Sequence, residues 1–182
     1  APQWRDVDVG QTGEIVVRGP ITMTGYWQRP AATAETLRED GWLRTGDLAT
    51  CDTESFVTLV GRARDLFISG GENVYPAQVE AVLAEYPGVA AACVIGVPDP
   101  EQVERVKAFV VLKDPGEESA ATEQALIEHC RAQLIKWSCP RELEFRRELP
   151  RTRVGKIDYK VLVAEHVARA ATAPGATTQL QG

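Results

Sequence analysis

Three polar segments that contain glycine interrupt otherwise apolar stretches of the sequence, and each has residues that could do chemistry. The first is Arg-Thr-Gly-Asp-Leu at residues 44–48. A carboxylate fixed directly after a glycine turn, here Asp47, can accept two hydrogen bonds from adjacent hydroxyls such as those of a ribose. An aspartate that closes a β-turn through its own backbone fits the same local sequence, and spacing alone favours that alternative.

The second segment, residues 61–76, contains two arginines and a pair of glycines. Arg62 and Arg64 could hold an anion, since a guanidinium binds phosphate or carboxylate. Gly70 and Gly71 would let a narrow ligand approach the backbone because they have no side chain. The alternative is a β-hairpin with a Gly-Gly turn and solvated arginines, which the spacing by itself favours.

The third segment, residues 149–158, is a basic loop with a lysine next to a glycine. It is not a nucleotide-binding P-loop, because that motif needs Gly and then Ser or Thr where this chain has Pro150 and Ile157. What remains is Lys156, whose ammonium could stabilise negative charge that develops during a reaction. A lone loop lysine is more often simply solvated.

Composition excludes several classes of function. The 182 residues include 20 Lys and Arg against 26 Asp and Glu, with a formal net charge of -6, so we expect no nucleic-acid partner. The apolar runs are shorter than the roughly 20 residues of a transmembrane helix. The first residues do not form a signal peptide, so we expect a cytoplasmic protein. Four cysteines and two histidines are irregularly spaced, which predicts no metal site.

The elements that must position these segments follow from hydrophobic periodicity. Strands are predicted at residues 13–18, 56–60, 89–97, 106–112 and 142–146. Helices are predicted at residues 31–39, from Pro76 to the Pro87 break, at 121–135 and from Asp158 onward. Strands and helices alternate in the second half of the chain, which predicts a small α/β or α+β domain there.

In order and spacing, the three segments resemble motifs of the adenylate-forming superfamily, which contains acyl-CoA synthetases, luciferases and peptide-synthetase adenylation domains. Residues 61–76 are similar to the hinge motif of that family, and residues 149–158 are similar to its terminal motif with a catalytic lysine. The resemblance covers residues 10 to 165. Its other motifs are Gly-Glu-Ile-Val-Val-Arg-Gly-Pro at 13–20, Gly-Tyr-Trp at 25–27, Asp-Gly-Trp at 40–42 and Thr-Gly-Asp-Leu at 45–48.

The resemblance implies roles for individual residues. Asp47 would hold the ribose hydroxyls of ATP, and Arg62 would reach the ribose or a phosphate of the nucleotide. Lys156 would contact the substrate carboxylate and the α-phosphate as charge builds during adenylation. Gly70 and Gly71 would line the channel for the pantetheine arm of CoA.

The resemblance also implies an α+β fold with a hinge at Arg64. Residues 1–62 would be the trailing β-rich part of a large N-terminal domain. Residues 63–170 would be a mobile C-terminal domain with a mostly antiparallel sheet flanked by helices, and 171–182 would be a disordered tail. Because the body of the large domain is absent from this sequence, we expect an exposed apolar surface within residues 13–60.

The implied reaction has two steps. A carboxylic acid reacts with ATP, accompanied by Mg²⁺, to give acyl-AMP, and the thiol of CoA then displaces AMP. Ser-Gly-Gly-Glu-Asn-Val-Tyr-Pro at residues 69–76 is more similar to fatty-acyl and aryl CoA ligases than to peptide-synthetase domains. The phosphate loop and the acyl pocket lie upstream in that family, so we expect this chain alone to be inactive.

Two alternatives remain open, and four positions depart from the family pattern. The chain could serve a carrier protein instead of CoA, or it could be a non-catalytic docking or regulatory module of the same fold. Leu43 replaces a common aromatic, Gln78 a glutamate and Ser138 a lysine. Val103 replaces a glycine, which puts the local turn and contacts to CoA in question.

Overall fold

The computed structural model describes residues 4–101 and 103–172, which divide into two compact units. The first unit is Ala1–Leu66 and the second is Phe67–Gly182. Most of the predicted tail at 171–182 lies outside the described residues, although the last helix continues to Thr172. No helix in the described part of the chain is long and apolar enough to cross a membrane.

The first unit is a three-stranded antiparallel sheet with one short helix. The strands β1 (Thr12–Val17), β2 (Leu43–Cys51) and β3 (Val57–Arg62) lie in that order, and the helix α1 is Pro30–Thr36. The predicted β1, β3 and α1 are confirmed. The sequence does not predict β2, because its glycine and polar residues are typical of a loop.

The first unit buries few side chains. Among its described residues, only Ala49 and Val60 are buried. One edge of the sheet instead exposes Phe56, Val57 and Leu59, each at 60 to 67% of its surface. The expected exposed apolar surface within residues 13–60 is therefore present.

The second unit has a five-stranded sheet flanked by three helices. The strands are β4 (Phe67–Ser69), β5 (Glu72–Val74), β6 (Val89–Asp99), β7 (Val103–Leu112) and β8 (Glu142–Phe145), and the helices are α2 (Pro76–Glu85), α3 (Ala120–Gln133) and α4 (Tyr159–Thr172). The strand order is β5-β4-β7-β6, and β8 pairs in parallel with β7 while the other pairs are antiparallel. The mostly antiparallel sheet with flanking helices is as predicted.

The two faces of this sheet carry separate hydrophobic clusters. Successive residues of a strand point to opposite faces. Val94 of β6 therefore packs in one cluster with residues of α2 and α3, such as Leu83 and Leu126. Its neighbour Cys93 packs in the other cluster, with Leu162 of α4. Helices therefore cover both faces of the sheet, and the second unit has a buried hydrophobic cluster on each face.

A buried ionic cluster connects β7, β8 and α4. The Lys107 ammonium lies 2.5 Å from Glu142 Oε1, 3.0 Å from Glu144 Oε2 and 3.2 Å from His166 Nδ1. Burial opposes ionisation of both glutamates, but hydrogen bonds from Lys107 help to outweigh it, and the pKa of each carboxyl lies below its ordinary value. Burial and then the charge of Lys107 lower the pKa of His166. The neutral ring can therefore accept a hydrogen bond from the ammonium.

Val103 starts β7 in a backbone conformation that suits glycine. Its φ is +69°, in the left-handed region, and its side chain is 71% exposed. A β-branched residue is rarely found there because its side chain collides with the backbone. Val103 therefore occupies a glycine-type backbone conformation, with strain at the valine.

Candidate functional site

Asp47 lies in a bulge in the middle of β2. Between the pairs Glu14↔Leu48 and Val16↔Arg44, β1 has one residue whereas β2 has three. Gly46 takes φ +76° inside the bulge, a conformation that costs glycine little. The bulge interrupts the ladder with β1 and keeps Asp47 opposite Arg62 of β3. Asp47 is thus presented by a strand, not by the β-turn that was its alternative.

Side chains satisfy the backbone groups that the bulge removes from the ladder. The Gly46 N–H donates to Glu14 Oε1 at 3.0 Å, and Glu14 Oε2 accepts from Arg44 Nε and Nη2 at 2.9 and 2.6 Å. Thr45 Oγ1 donates to the Ile15 carbonyl and accepts from the Asp47 N–H. The hydrogen bond with Glu14 raises the pKa of Arg44. Glu14 is therefore a structural centre of the bulge that the sequence analysis did not single out.

Asp47 and Arg62 form a half-exposed ion pair across β2 and β3. Arg62 Nε lies 3.1 Å from Asp47 Oδ1, with side chains 46 and 35% exposed. Arg64 is far more exposed and pairs with the adjacent Asp65. A cavity of about 310 Å³ beside the bulge is lined by Arg62, Arg64 and Arg44, together with Glu14 and Glu35. Three guanidinium groups and two carboxylates therefore line this cavity, and one of the three arginines, Arg62, also pairs with Asp47.

Gly70 and Gly71 form a two-residue turn between β4 and β5. Their φ values are +59° and +85°, as a hairpin turn of this length requires, and Ser69 pairs with Glu72 across it. The hairpin that was the alternative for this segment is therefore present. A Cβ added at Gly70 would overlap the ring of Trp137, whereas one at Gly71 would meet open space. Of the two glycines, only Gly71 has open space at its Cβ position.

Lys156 lies in a short loop whose backbone is tightly hydrogen-bonded. The Thr152 N–H donates to the Lys156 carbonyl at 2.7 Å, and the Asp158 N–H donates to the Pro150 carbonyl at 2.8 Å. Arg151 Nη1 donates to the Gly155 carbonyl at 2.7 Å. Lys156 itself is exposed, and no side chain in residues 4–101 or 103–172 pairs with its ammonium. The backbone of this loop is therefore held by hydrogen bonds, and it presents an exposed lysine ammonium that can bind an anion.

The predicted site residues are divided between the two units. Asp47, Arg62 and Arg64 belong to the first unit, where the structure brings Asp47 and Arg62 into contact. Gly70, Gly71 and Lys156 belong to the second unit. No group of three or more potential metal ligands is found within the described ranges.

Comparison with known proteins agrees with this geometry. Residues 78–156 match the family model of the AMP-binding enzyme C-terminal domain. These residues belong to that domain family. The match lies inside the second unit and includes Lys156. The assignments of Asp47, Arg62, Arg64, Gly70, Gly71 and Lys156 to individual roles stay predictions.

Two similar enzymes are both longer than this chain. A long-chain-fatty-acid–CoA ligase of Escherichia coli O157:H7 is 47% identical over 152 residues, which is 84% of this chain and 26% of that enzyme. A feruloyl-CoA synthase of Amycolatopsis is 49% identical over 156 residues, 86% of this chain and 31% of the synthase. The chain therefore spans about a quarter to a third of the length of these adenylate-forming relatives.

Solved structures of adenylate-forming enzymes have the same fold. The o-succinylbenzoate CoA synthetase of Bacillus subtilis, in complex with its acyl-adenylate intermediate, superimposes with a TM-score of 0.77 at 38% identity. The superposition covers 86% of this chain and 31% of the synthetase. The α+β fold expected from the sequence is therefore confirmed in this family.

Proposed function

We propose that this chain is the C-terminal part of an acyl- or aryl-CoA ligase. The enzyme would convert a carboxylic acid and ATP to acyl-AMP and pyrophosphate, and would then transfer the acyl group to CoA. The observation that carries this proposal is the exposed Lys156 ammonium, which pairs with no side chain among the described residues and lies on a hydrogen-bonded loop. Identities of 46 to 49% to CoA ligases of fatty and aromatic acids support it.

Lys156 is the residue to which we assign the adenylation step. An oxygen of the substrate carboxylate attacks the α-phosphorus of ATP, and the bond to pyrophosphate breaks. Negative charge increases on the α-phosphate oxygens as both bonds are partly formed, and a nearby ammonium stabilises it. Because the loop backbone is already ordered, little conformational entropy is lost when Lys156 meets the substrate.

Asp47 and Arg62 would bind the nucleotide. A carboxylate accepts hydrogen bonds from both ribose hydroxyls, and a guanidinium suits the ribose or a phosphate. Their ion pair orients the Asp47 carboxylate before ATP arrives. The pair is half exposed, so exchanging one contact for another costs little. Magnesium would accompany ATP as the counter-ion of its phosphates.

The remaining assignments concern the second step. Arg64 would lie at the hinge about which the second unit turns between the two reactions. Its side chain is 75% exposed, so side-chain packing does not restrict the backbone torsion angles at this position. Gly71 would face the pantetheine channel, since open space surrounds its Cβ position. The CoA thiol would then attack the acyl carbonyl carbon, and AMP would leave.

The exposed edge of the first unit supports its placement in a larger domain. Phe56, Val57 and Leu59 are three exposed apolar residues of β3 and the position before it. Exposed apolar side chains close together in the chain are typical of a surface that another protein segment covers. We infer that the large N-terminal domain of the enzyme covers it, and we expect this chain alone to show no acid-dependent pyrophosphate exchange.

A complete enzyme tests the proposal. This chain is joined to the preceding portion of the E. coli long-chain-fatty-acid–CoA ligase, and each half-reaction is measured separately. Lys156→Ala is expected to reduce acyl-AMP formation at least a hundredfold, the scale for loss of a transition-state charge contact. Thioester formation from supplied acyl-AMP should stay within about twofold. Lys160→Ala, which removes another exposed lysine, is the matched control.

Two outcomes would contradict the proposal. Equal loss of both half-reactions in Lys156→Ala would reject the assigned role of this lysine. Transfer of the acyl group to a phosphopantetheinyl carrier protein, with no transfer to CoA, would reject the CoA ligase assignment and favour the carrier-protein alternative.

A further inference from the structure

The Lys156 loop is followed directly by a tyrosine that reaches another helix. Tyr159 is the first residue of α4, three residues after Lys156. Its hydroxyl donates to the carboxylate of Glu80 on α2, with oxygen distances of 3.1 and 3.3 Å to Oε1 and Oε2. A hydrogen bond to an ionised carboxylate is stronger and more directional than one between neutral groups.

Glu80 is itself held by the edge of the sheet. Its Oε1 accepts a hydrogen bond from the Val94 N–H at 2.9 Å. β6 is the last strand in the sheet order, so this N–H faces the open edge and needs a partner outside the ladder. Burial, and then the charge of Glu80, raise the pKa of the adjacent Cys93 thiol. The carboxylate is therefore fixed by backbone and side chain before Tyr159 binds it.

We propose that Glu80 and Tyr159 form a tether that positions Lys156 for the adenylation step. This inference rests on the proposed function of Lys156. The pairing of Arg151 with Ile157 closes the loop on both sides of Lys156, and the tether holds the chain just beyond it at Tyr159. Three residues span at most about 10 Å, so Tyr159 cannot move far without displacing the Lys156 backbone. Glu80 and Tyr159 are positioning residues, because their effect on the reaction passes through Lys156.

Limited proteolysis tests the tether without any activity measurement. The loop offers trypsin three cleavage sites, after Arg151, Arg153 and Lys156. In Tyr159→Phe we expect cleavage there to rise about tenfold relative to cleavage after Lys136 in the same unit, because one charge-assisted hydrogen bond is lost. Tyr86→Phe removes a phenol hydroxyl elsewhere in this unit and should leave the ratio unchanged. An unchanged ratio in Tyr159→Phe would overturn the tether.

Variants of Glu80 test whether its hydrogen bond with Tyr159 holds the loop locally or only stabilises the whole fold. Glu80→Gln keeps an oxygen that can accept from both Tyr159 and Val94, so we expect it to restore most of the protection. Glu80→Ala should behave like Tyr159→Phe. If Glu80→Ala instead speeds cleavage at all sites alike, the pair merely stabilises the fold and the positioning role is rejected.

The joined enzyme connects the tether to the reaction. Tyr159→Phe is expected to lower kcat of acyl-AMP formation at least tenfold, with the KM values for ATP and acid within twofold and thioester formation from acyl-AMP spared. A loosened loop with unchanged kcat would overturn the positioning role. If Lys156→Ala fails to slow adenylation, the proposed function of Lys156 is wrong, whereas the proteolysis ratio still reports whether the tether exists.

Discussion

The bulge that presents Asp47 and the loop that presents Lys156 both fix a polar side chain at the surface, but their rigidity has different sources. In the first unit, hardly any side chain is buried, and charged groups such as Glu14 hold the bulge. In the second unit, backbone hydrogen bonds shape the loop, and Leu149 and Leu162 anchor its two ends in a buried cluster. The stability of the first region should therefore depend on single polar contacts, and that of the second mainly on packing, with the Glu80–Tyr159 hydrogen bond acting locally on the loop.

The largest effect is expected from the packed region. Leu162 is completely buried, so Leu162→Ala should lower the free energy of unfolding of the second unit by about 2–5 kcal/mol. Native-state hydrogen exchange of the β7 amides measures this loss. Val163→Ala, on the half-exposed side of the same helix, is the control and should cost less than about 1 kcal/mol. Equal costs for the two variants would contradict the dependence on packing.

A smaller and more local effect is expected in the bulge. Glu14→Ala leaves the Gly46 N–H without its acceptor, which costs about 1–3 kcal/mol of local stability. The lost pair with Arg44 adds little because that arginine is half exposed. Exchange of the Gly46 amide should become at least about fivefold faster, while exchange of the Thr152 amide in the Lys156 loop stays the same.

Glu35→Ala is the matched control for the bulge, since Glu35 lines the same cavity but makes no contact with Gly46 among the described residues. If Glu35→Ala accelerates exchange at Gly46 as much as Glu14→Ala does, the effect comes from the charge of the cavity. The role of Glu14 in holding the bulge would then be rejected.

The two regions also differ in how far the sequence predicts them. Apolar residues at helical spacing identify α2 and α3, and alternation identifies β8, because burial on one face directly determines those patterns. The bulged strand β2 is not predicted, since Thr45 and Gly46 are stabilised by side-chain contacts with residues 30 to 32 positions away. Motif resemblance identifies Asp47 and Lys156 as site residues, but it does not reveal the groups that hold them.

Long-range polar contacts account for most of what the sequence does not reveal. Glu80 and Tyr159 are 79 residues apart, and Lys107 and Glu142 are 35 apart. A glutamate at either position is equally compatible with a solvated surface, because a charged residue is usually exposed. Only the fold shows that β8 turns its glutamates toward Lys107, where their charges are compensated.

The smallest expected effect concerns two positions with similar positive φ values and different residues. Gly46 in the first unit and Val103 in the second have φ values of +76° and +69°. Val103→Gly should raise the free energy of unfolding of the second unit by about 0.5–1 kcal/mol, because relief of left-handed strain exceeds the entropy that glycine loses on folding. Val103→Ala keeps a Cβ and should gain less, while Gly46→Ala should destabilise the bulge. Urea denaturation of the three variants measures these differences. A loss of stability in Val103→Gly would mean that contacts of the valine side chain outweigh the strain, even though that side chain is mostly exposed.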